Sequence, residues 1–405
     1  MDWIDTLLIP GVKVAIVFLS LVLSVPVLVL IERKFIGRIQ QRPGPNRVGL
    51  KAVVNTILRR ENPAGKAAHG NWGGELQTIT DGIKLILKED FIPEKAERGI
   101  FILAPVLVAI PAFLTFCIVP FGPVVEFEFA GKVREISLSV TDLESGILFY
   151  LAISSIGVYG IVLAGWASNS KYALLGSIRA TAQLISYEIT LGLSLIGVLL
   201  IVGSFNMREI IAAQDGGFWN WIVLRQPMAC LMFLVAGFAE TNRLPFDLPE
   251  GETELGAGYH TEYSSMKWAV FMMGEYVNIV TFSGVMTTLF LGGFHGPIPL
   301  ALSASPIFVA LSGLFWFSVK VLAIFFFFVW VRGTLPRLRY DQLMNLGWKY
   351  MFPLAVMNVV ATAFILAFIP EKATGVSLFF AGMVLLIGAD VFANAAKRRT
   401  LAHVA

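Results

Sequence analysis

Three ionisable residues stand inside stretches of sequence that are otherwise apolar: Glu188, Glu275 and Lys320. Glu188 follows Arg179 by nine residues, which at about 1.5 Å of helical rise per residue carries it roughly 13 Å beyond that charge. Glu275 follows Lys267 by eight residues, roughly 12 Å, and Asn278 comes one turn later on the same helical face. Lys320 stands between Ser318 and a run of four phenylalanines. In hydrocarbon each such group costs at least about 2.5 kcal/mol. They therefore either neutralise one another as ties between helices or move protons or ions. A second group of acids occupies residues 239–263, AETNRLPFDLPEGETELGAGYHTEY, where Glu240, Asp247, Glu250, Glu252, Glu254 and Glu262 face a single Arg243. Pro245 and Pro249, with Leu244, Phe246, Leu248 and Leu255 between the acids, argue against a flexible, solvated linker. Carboxylates clustered in a half-buried fold raise one another's pKa values, and that suits proton handling.

The elements that hold these groups are membrane helices. Of 405 residues, 56% are hydrophobic and only 15% charged, against about 25% charged in a soluble domain. With a mean hydropathy of +0.74, lipid is the solvent. A net charge of +3 is too balanced for nucleic-acid binding by bulk charge. Two cysteines, Cys117 and Cys230, and four scattered histidines build no disulfide framework, zinc site or thiolate iron–sulfur site. No metal or redox centre is expected, so any redox chemistry comes from a partner or a bound substrate.

Runs of about 20 apolar residues predict an all-α integral membrane protein with about nine spans. These are 10–31, 99–120, 143–165, 178–203, 219–239, 268–292, 306–331, 350–369 and 374–392. Arg225 interrupts the fifth and would have to snorkel to the interface. With the N-terminus outside and the C-terminus inside, 24 Lys and Arg fall on the inner side and six on the outer, the bias that sets orientation. The long segments 33–98, 240–267 and 332–349 then face the cytoplasm. Pro43-Gly44-Pro45-Asn46 is a turn that stops the first helix. Leu76 to Asp90 reads as a short amphipathic helix lying in the interface. The chain is a single polytopic domain, 1–405.

Four long segments, in order, resemble one family: ERKFIGRIQQRPGPNRVG at 32–49, GWASNSKYALLGSIRATAQLISYE at 165–188, the acidic segment at 239–263, and RGTLPRLRYDQLMNLGWK at 332–349. The family is that of the H-type membrane subunit of the proton-pumping NADH:quinone oxidoreductase, respiratory complex I, and the similarity spans essentially residues 10–370. The resemblance implies a cytoplasmic quinone chamber shared with neighbouring subunits, entered from the bilayer beside the first helix and the amphipathic helix. By motif match, Glu32, Arg33, Arg243, Phe246 and Asp247 are similar to chamber residues. Glu188, Glu240, Glu250, Glu252, Glu254 and Glu275 are similar to a path of buried acids toward antiporter-like pump subunits, with Arg179 and Arg332 as basic partners; the buried Lys320 is placed with this path. The implied substrate is ubiquinone or menaquinone, flavin and iron–sulfur clusters belong to peripheral partner subunits, and the location is the cell inner membrane.

Two features depart from the family pattern. Residues 50–71 interrupt the run from GPNRVG to WGGELQ, and read as a basic cytoplasmic insertion off the reaction path. The span at 374–392 reads as a C-terminal addition. The alternatives are the related subunit of a membrane-bound hydrogenase-type complex and a stand-alone ion transporter, which the buried charges alone would also suit.

Overall fold

The computed structural model of the protein describes residues 8–46, 74–129, 132–248, 256–297, 306–370 and 374–389. Seven helices among them are long and apolar enough to cross a membrane, and the chain is an all-α membrane protein apart from one short hairpin. The insertion 50–71 and the acids Glu250, Glu252 and Glu254 lie outside the described residues.

The first helix, α1, runs Ile9–Ile39. Its 31 residues extend about 46 Å, well beyond a hydrocarbon core of about 30 Å. Glu32 and Arg33 therefore ride on the helix itself, and the chain turns where Pro43–Asn46 predicts. The expected amphipathic segment is α2, Gln77–Leu87. It turns Ile79, Ile83, Ile86 and Leu87 outward, while Thr78, Asp81, Gly82 and Leu85 face inward. Next come α3, Arg98–Phe116, and an antiparallel hairpin of β1, Val124–Phe129, and β2, Lys132–Ser137. Its register pairs Val124 with Ser137 and Phe129 with Lys132. An all-helix expectation misses this hairpin, although Val-Val-Glu-Phe-Glu-Phe alternates with the period of two that a strand requires. After it run α4, Gly146–Ala167, and α5, Lys171–Val202.

The fifth expected span, 219–239, forms differently. The chain makes a short helix α6, Met207–Ala212, then a single turn α7, Ile222–Arg225, and only then α8, Pro227–Glu240. Pro227 has no N–H to continue a helix from α7. Gln226 at the break is buried, with Nε2 donating to Thr362 Oγ1 at 2.7 Å and Oε1 accepting from Asn358 Nδ2 at 3.0 Å. The 14 residues of α8 reach about 21 Å, less than a bilayer core. This short helix is tolerated because neighbouring helices surround it and satisfy its irregular entry. Gly237 permits the closest of these approaches, since a Cβ there would overlap the Phe282 ring. Arg225 meets the outlying loop, donating to Asn220 Oδ1 at 3.2 Å.

Then α9, Ser265–Phe290, crosses the middle of the bundle and is the most buried of the long helices. It is followed by α10, Pro306–Thr334, α11, Tyr340–Asn345, and a wide turn, Leu346–Met351, leading into α12, Phe352–Phe368. The last described helix, α13, is Thr374–Ala389. It rests on the start of α8, where Gly382 comes so close that a Cβ would lie 2.9 Å from Pro227.

Candidate functional site

At the end of the bundle where α1 stops, α2 lies across a cleft between α1 and α9. α2 is clamped at its middle and at its C-terminal end. Asp81 accepts from Arg33 on α1 and from Gln77 Nε2 at 3.1 Å. Ser265 takes the left-handed backbone, φ 56°, and its hydroxyl donates to Leu85 O at 2.8 Å and Lys88 O at 3.0 Å, carbonyls that the end of a helix leaves unpaired. Beneath this roof is a cavity of about 880 Å³. Val25, Val29 and Ile36 of α1 and Met272 and Met273 of α9 supply apolar walls, and Glu32, Arg33, Tyr276 and Arg332 its polar end. A large, mostly apolar cavity with a few converging polar groups is the usual form of a small-molecule site.

The polar end is a closed network. Glu32 of α1 accepts from Tyr276 Oη at 2.8 Å, from Arg243 Nη1 at 3.4 Å and from Arg332 of α10. Arg243 also pairs with Glu275 at 3.8 Å and lies over the Tyr276 ring, 4.5 Å from its centre. Tyr259 Oη donates to Glu275 Oε1 at 3.4 Å. Two carboxylates and two guanidiniums balance in charge. Buried ions persist only when paired and hydrogen-bonded in this way.

Glu275 and Tyr276 are consecutive on α9 and so point to different faces. Tyr276 borders the large cavity, whereas Glu275 opens onto a second, smaller cavity of about 60 Å³. Glu188 of α5 and Glu240 at the end of α8 line the same small space, with Asn278, Ser154 and Tyr259. Ser155 donates to Glu188 Oε1. One carboxylate oxygen of Glu240 has no hydrogen-bond partner among the described residues. At about 10–15 Å³ of such volume per water, this cavity has room for about four to six. Three acids from three helices thus share one wettable space, and one of them, Glu275, pairs with Arg243, which in turn pairs with Glu32 of the large cavity.

The sequence profile of the NADH dehydrogenase family matches residues 12–363. An H subunit of the NADH-quinone oxidoreductase of Geobacter sulfurreducens is 49% identical over 89% of this chain and 97% of its own length. Its counterpart in Koribacter versatilis is 47% identical, over 89% and 98%. That of Deinococcus radiodurans is 46% identical over 96% of this chain and 89% of its own. This chain belongs to the H-subunit family of NADH-quinone oxidoreductases. The profile match ends before α13 begins.

In this member of the H-subunit family, the residues singled out from sequence divide into those that converge and those that do not. Glu32, Arg33 and Arg332 line the large cavity, with Arg243 behind them paired to Glu32, and Glu188, Glu240 and Glu275 line the small one. Asp247 is buried behind them, accepting from Arg337 Nη2 at 3.0 Å. Phe246 lines neither cavity; it is core, edge-on to Tyr187 at 5.2 Å. The Arg179 guanidinium lies over the Tyr340 ring at 5.4 Å, away from the acid cavity's lining. Lys320 also stays apart from the acids. Its ammonium donates to the carbonyls of Leu291 at 2.7 Å, Gly293 at 2.9 Å and His295 at 2.6 Å, and lies 4.3 Å from the centre of the Trp221 ring. All three of its donors are used, so Lys320 caps the far end of α9, where a helix C-terminus favours a cation. Sequence reasoning missed Tyr276, Tyr259 and Ser155, polar groups whose only signal is adjacency in space to the acids.

Proposed function

We propose that this chain is the quinone-site and coupling subunit of a proton-translocating NADH:quinone oxidoreductase in the cell inner membrane. Peripheral partner subunits supply flavin and iron–sulfur clusters, and antiporter-like membrane subunits complete the pump. The observation that carries the reading is the double membership of Glu275, which pairs with Arg243 and lines the acid cavity. A quinone, ubiquinone or menaquinone, enters from lipid under α2, with its apolar tail against α1 and α9. Two electrons from a partner's cluster and two protons convert it to quinol. Negative charge developing on the headgroup draws on the arginines, loosens Arg243 from Glu275, and lets protons redistribute among Glu275, Glu240 and Glu188 through bound water. Glu250, Glu252 and Glu254 extend the acidic path from the loop. A stand-alone transporter would not need the large cavity to open beside α2 at the bundle's end.

Gly82 offers a clean test of the entry route. It lines the large cavity, and a Cβ added there meets nothing within 4 Å. Gly82→Phe should therefore fold normally and fill the mouth. The expected result is a rise of about tenfold in KM for long-tailed quinone, roughly 1.4 kcal/mol of lost binding, with electron transfer from NADH to a soluble artificial acceptor unchanged. An unaltered KM would place the quinone elsewhere.

The orientation rests on the 24-to-6 charge split and makes a second prediction. Trp219, 83% exposed, and the exposed Asn345 lie at opposite ends of the bundle. A cysteine replacing Trp219 should react with an impermeant thiol reagent in sealed cells, and one replacing Asn345 only after the membrane is opened. The reverse pattern would invert the topology and move the quinone mouth to the outside.

A further inference from the structure

We infer that Gln183 is a positioning residue that locks the end of α8, which carries Glu240, to the loop that carries Arg243 and Asp247. The inference rests on the proposed quinone and acid-path reading and names the part that joins its two halves. Gln183 is completely buried on α5. Its Nε2 donates to Ala239 O at 2.9 Å and to Phe246 O at 2.8 Å, with Asn242 Oδ1 at 3.5 Å. Both close acceptors are backbone carbonyls, so the amide's NH2 must face them. Ala239 immediately precedes Glu240, and Phe246 lies between Arg243 and Asp247.

One side chain thus fixes, through two peptide groups, an acid of the small cavity and the arginine that pairs with Glu32 of the large one. It does so from the helix that also carries Glu188, five residues further on. Other bonds hold the loop to itself, from Arg243 N to Phe238 O at 3.2 Å and from Phe246 N to Arg243 O at 2.8 Å. Those bonds fix the loop's shape, and Gln183 fixes its place against α5. Moving Arg243 by charge at the quinone end therefore strains the Phe246 and Ala239 carbonyls together, and the strain reaches Glu240 through one residue.

The test uses the assembled complex. Gln183→Met keeps the volume and removes both donors, so KM for a short-chain quinone should rise and kcat fall in the same variant, each about tenfold for one to two lost hydrogen bonds. Glu240→Gln, which leaves the loop's anchor intact, should lower kcat alone. Gln183→Glu separates hydrogen bonding from shape. Protonated, its carboxyl donates one of the two bonds; ionised, it repels both carbonyls. Turnover of this variant should approach the parent's at low pH and fall as pH rises, over a range normalised to the parent. Parental KM and kcat in Gln183→Met, or a loss in Gln183→Glu that does not vary with pH, overturns the inference. If Gln183→Met does not assemble, the pH profile of Gln183→Glu decides alone. Full pumping in Glu240→Gln, Glu188→Gln and Glu275→Gln alike would overturn the acid path itself, whereas a parental Gln183→Met beside an impaired Glu240→Gln overturns only the role of Gln183.

Discussion

Exchanging Arg243 for methionine is expected to lower quinone reduction by the assembled complex by about two to three orders of magnitude. Arg243 is buried and bonds two carboxylates on different helices, Glu32 and Glu275. Methionine fills much of the space and supplies neither charge nor donors. Removing one partner from a buried ionic network costs about 3–5 kcal/mol, because the remaining charge has no compensation. At about 1.4 kcal/mol per factor of ten, that cost falls directly behind Glu32, a carboxylate of the large cavity's polar end. Glu32 retains Tyr276 and Arg332, so the fold of this end should survive while the link to Glu275 is cut. Lysine at the same position keeps the charge but cannot reach two carboxylates as a planar fork does, and should recover only part of the rate. Electron transfer from NADH to a soluble acceptor, which bypasses this chain, serves as the control. A methionine variant within twofold of the parent's quinone activity would mean that the network only ties helices together.

Glu32 and Glu275, at the two ends of that network, show how unevenly a site is written in sequence. Depth arithmetic from Arg179 and Lys267 brings Glu188, Glu275 and Asn278 into the membrane, and all three line one cavity. The acidic segment's prolines and apolar residues predict an ordered, half-buried loop, and in its described part, which excludes 249–255, Arg243 and Asp247 are buried. These cases are legible because a charge in an apolar run is costly wherever the helix sits. Lys320 satisfies the same criterion yet caps a helix, since cost alone does not say which neighbour relieves it; here three backbone carbonyls do. Phe246 follows its motif but faces the core, because ring direction depends on where α5 brings Tyr187. Gln183, Tyr276 and Ser155 carry no hydropathy signal at all, and their roles exist only once α4, α5, α8 and α9 are assembled.

The fold divides along similar lines. Long apolar runs locate the seven long helices, although α1 runs eight residues past the expected 31 and α5 starts seven before the expected 178, and the Pro-Gly-Pro turn gives the end of α1. The fifth span fails because hydropathy averages across Gln226 and Pro227 and reads one helix where two pieces meet. Its polar break is tolerated only inside the bundle, against Asn358 and Thr362. Both of those lie more than 130 residues further along the chain, so no local pattern announces them.

The acid cavity carries the second large effect. Glu240 shares one small cavity with Glu188 and Glu275, and a glutamine of the same size cannot release or accept a proton. Proton transfer by a positioned side chain is worth about 10²–10⁴ in rate, so Glu240→Gln is expected to slow turnover about a hundredfold without disturbing assembly. The decisive measurement places the purified complex, with Glu240→Gln, in sealed vesicles and follows quinone reduction and acidification of the lumen together. Both rates should fall in parallel while oxidation of NADH by a soluble acceptor continues at the parent's rate. Full proton pumping in this variant, and in Glu188→Gln and Glu275→Gln alongside it, would contradict a proton path through these three acids.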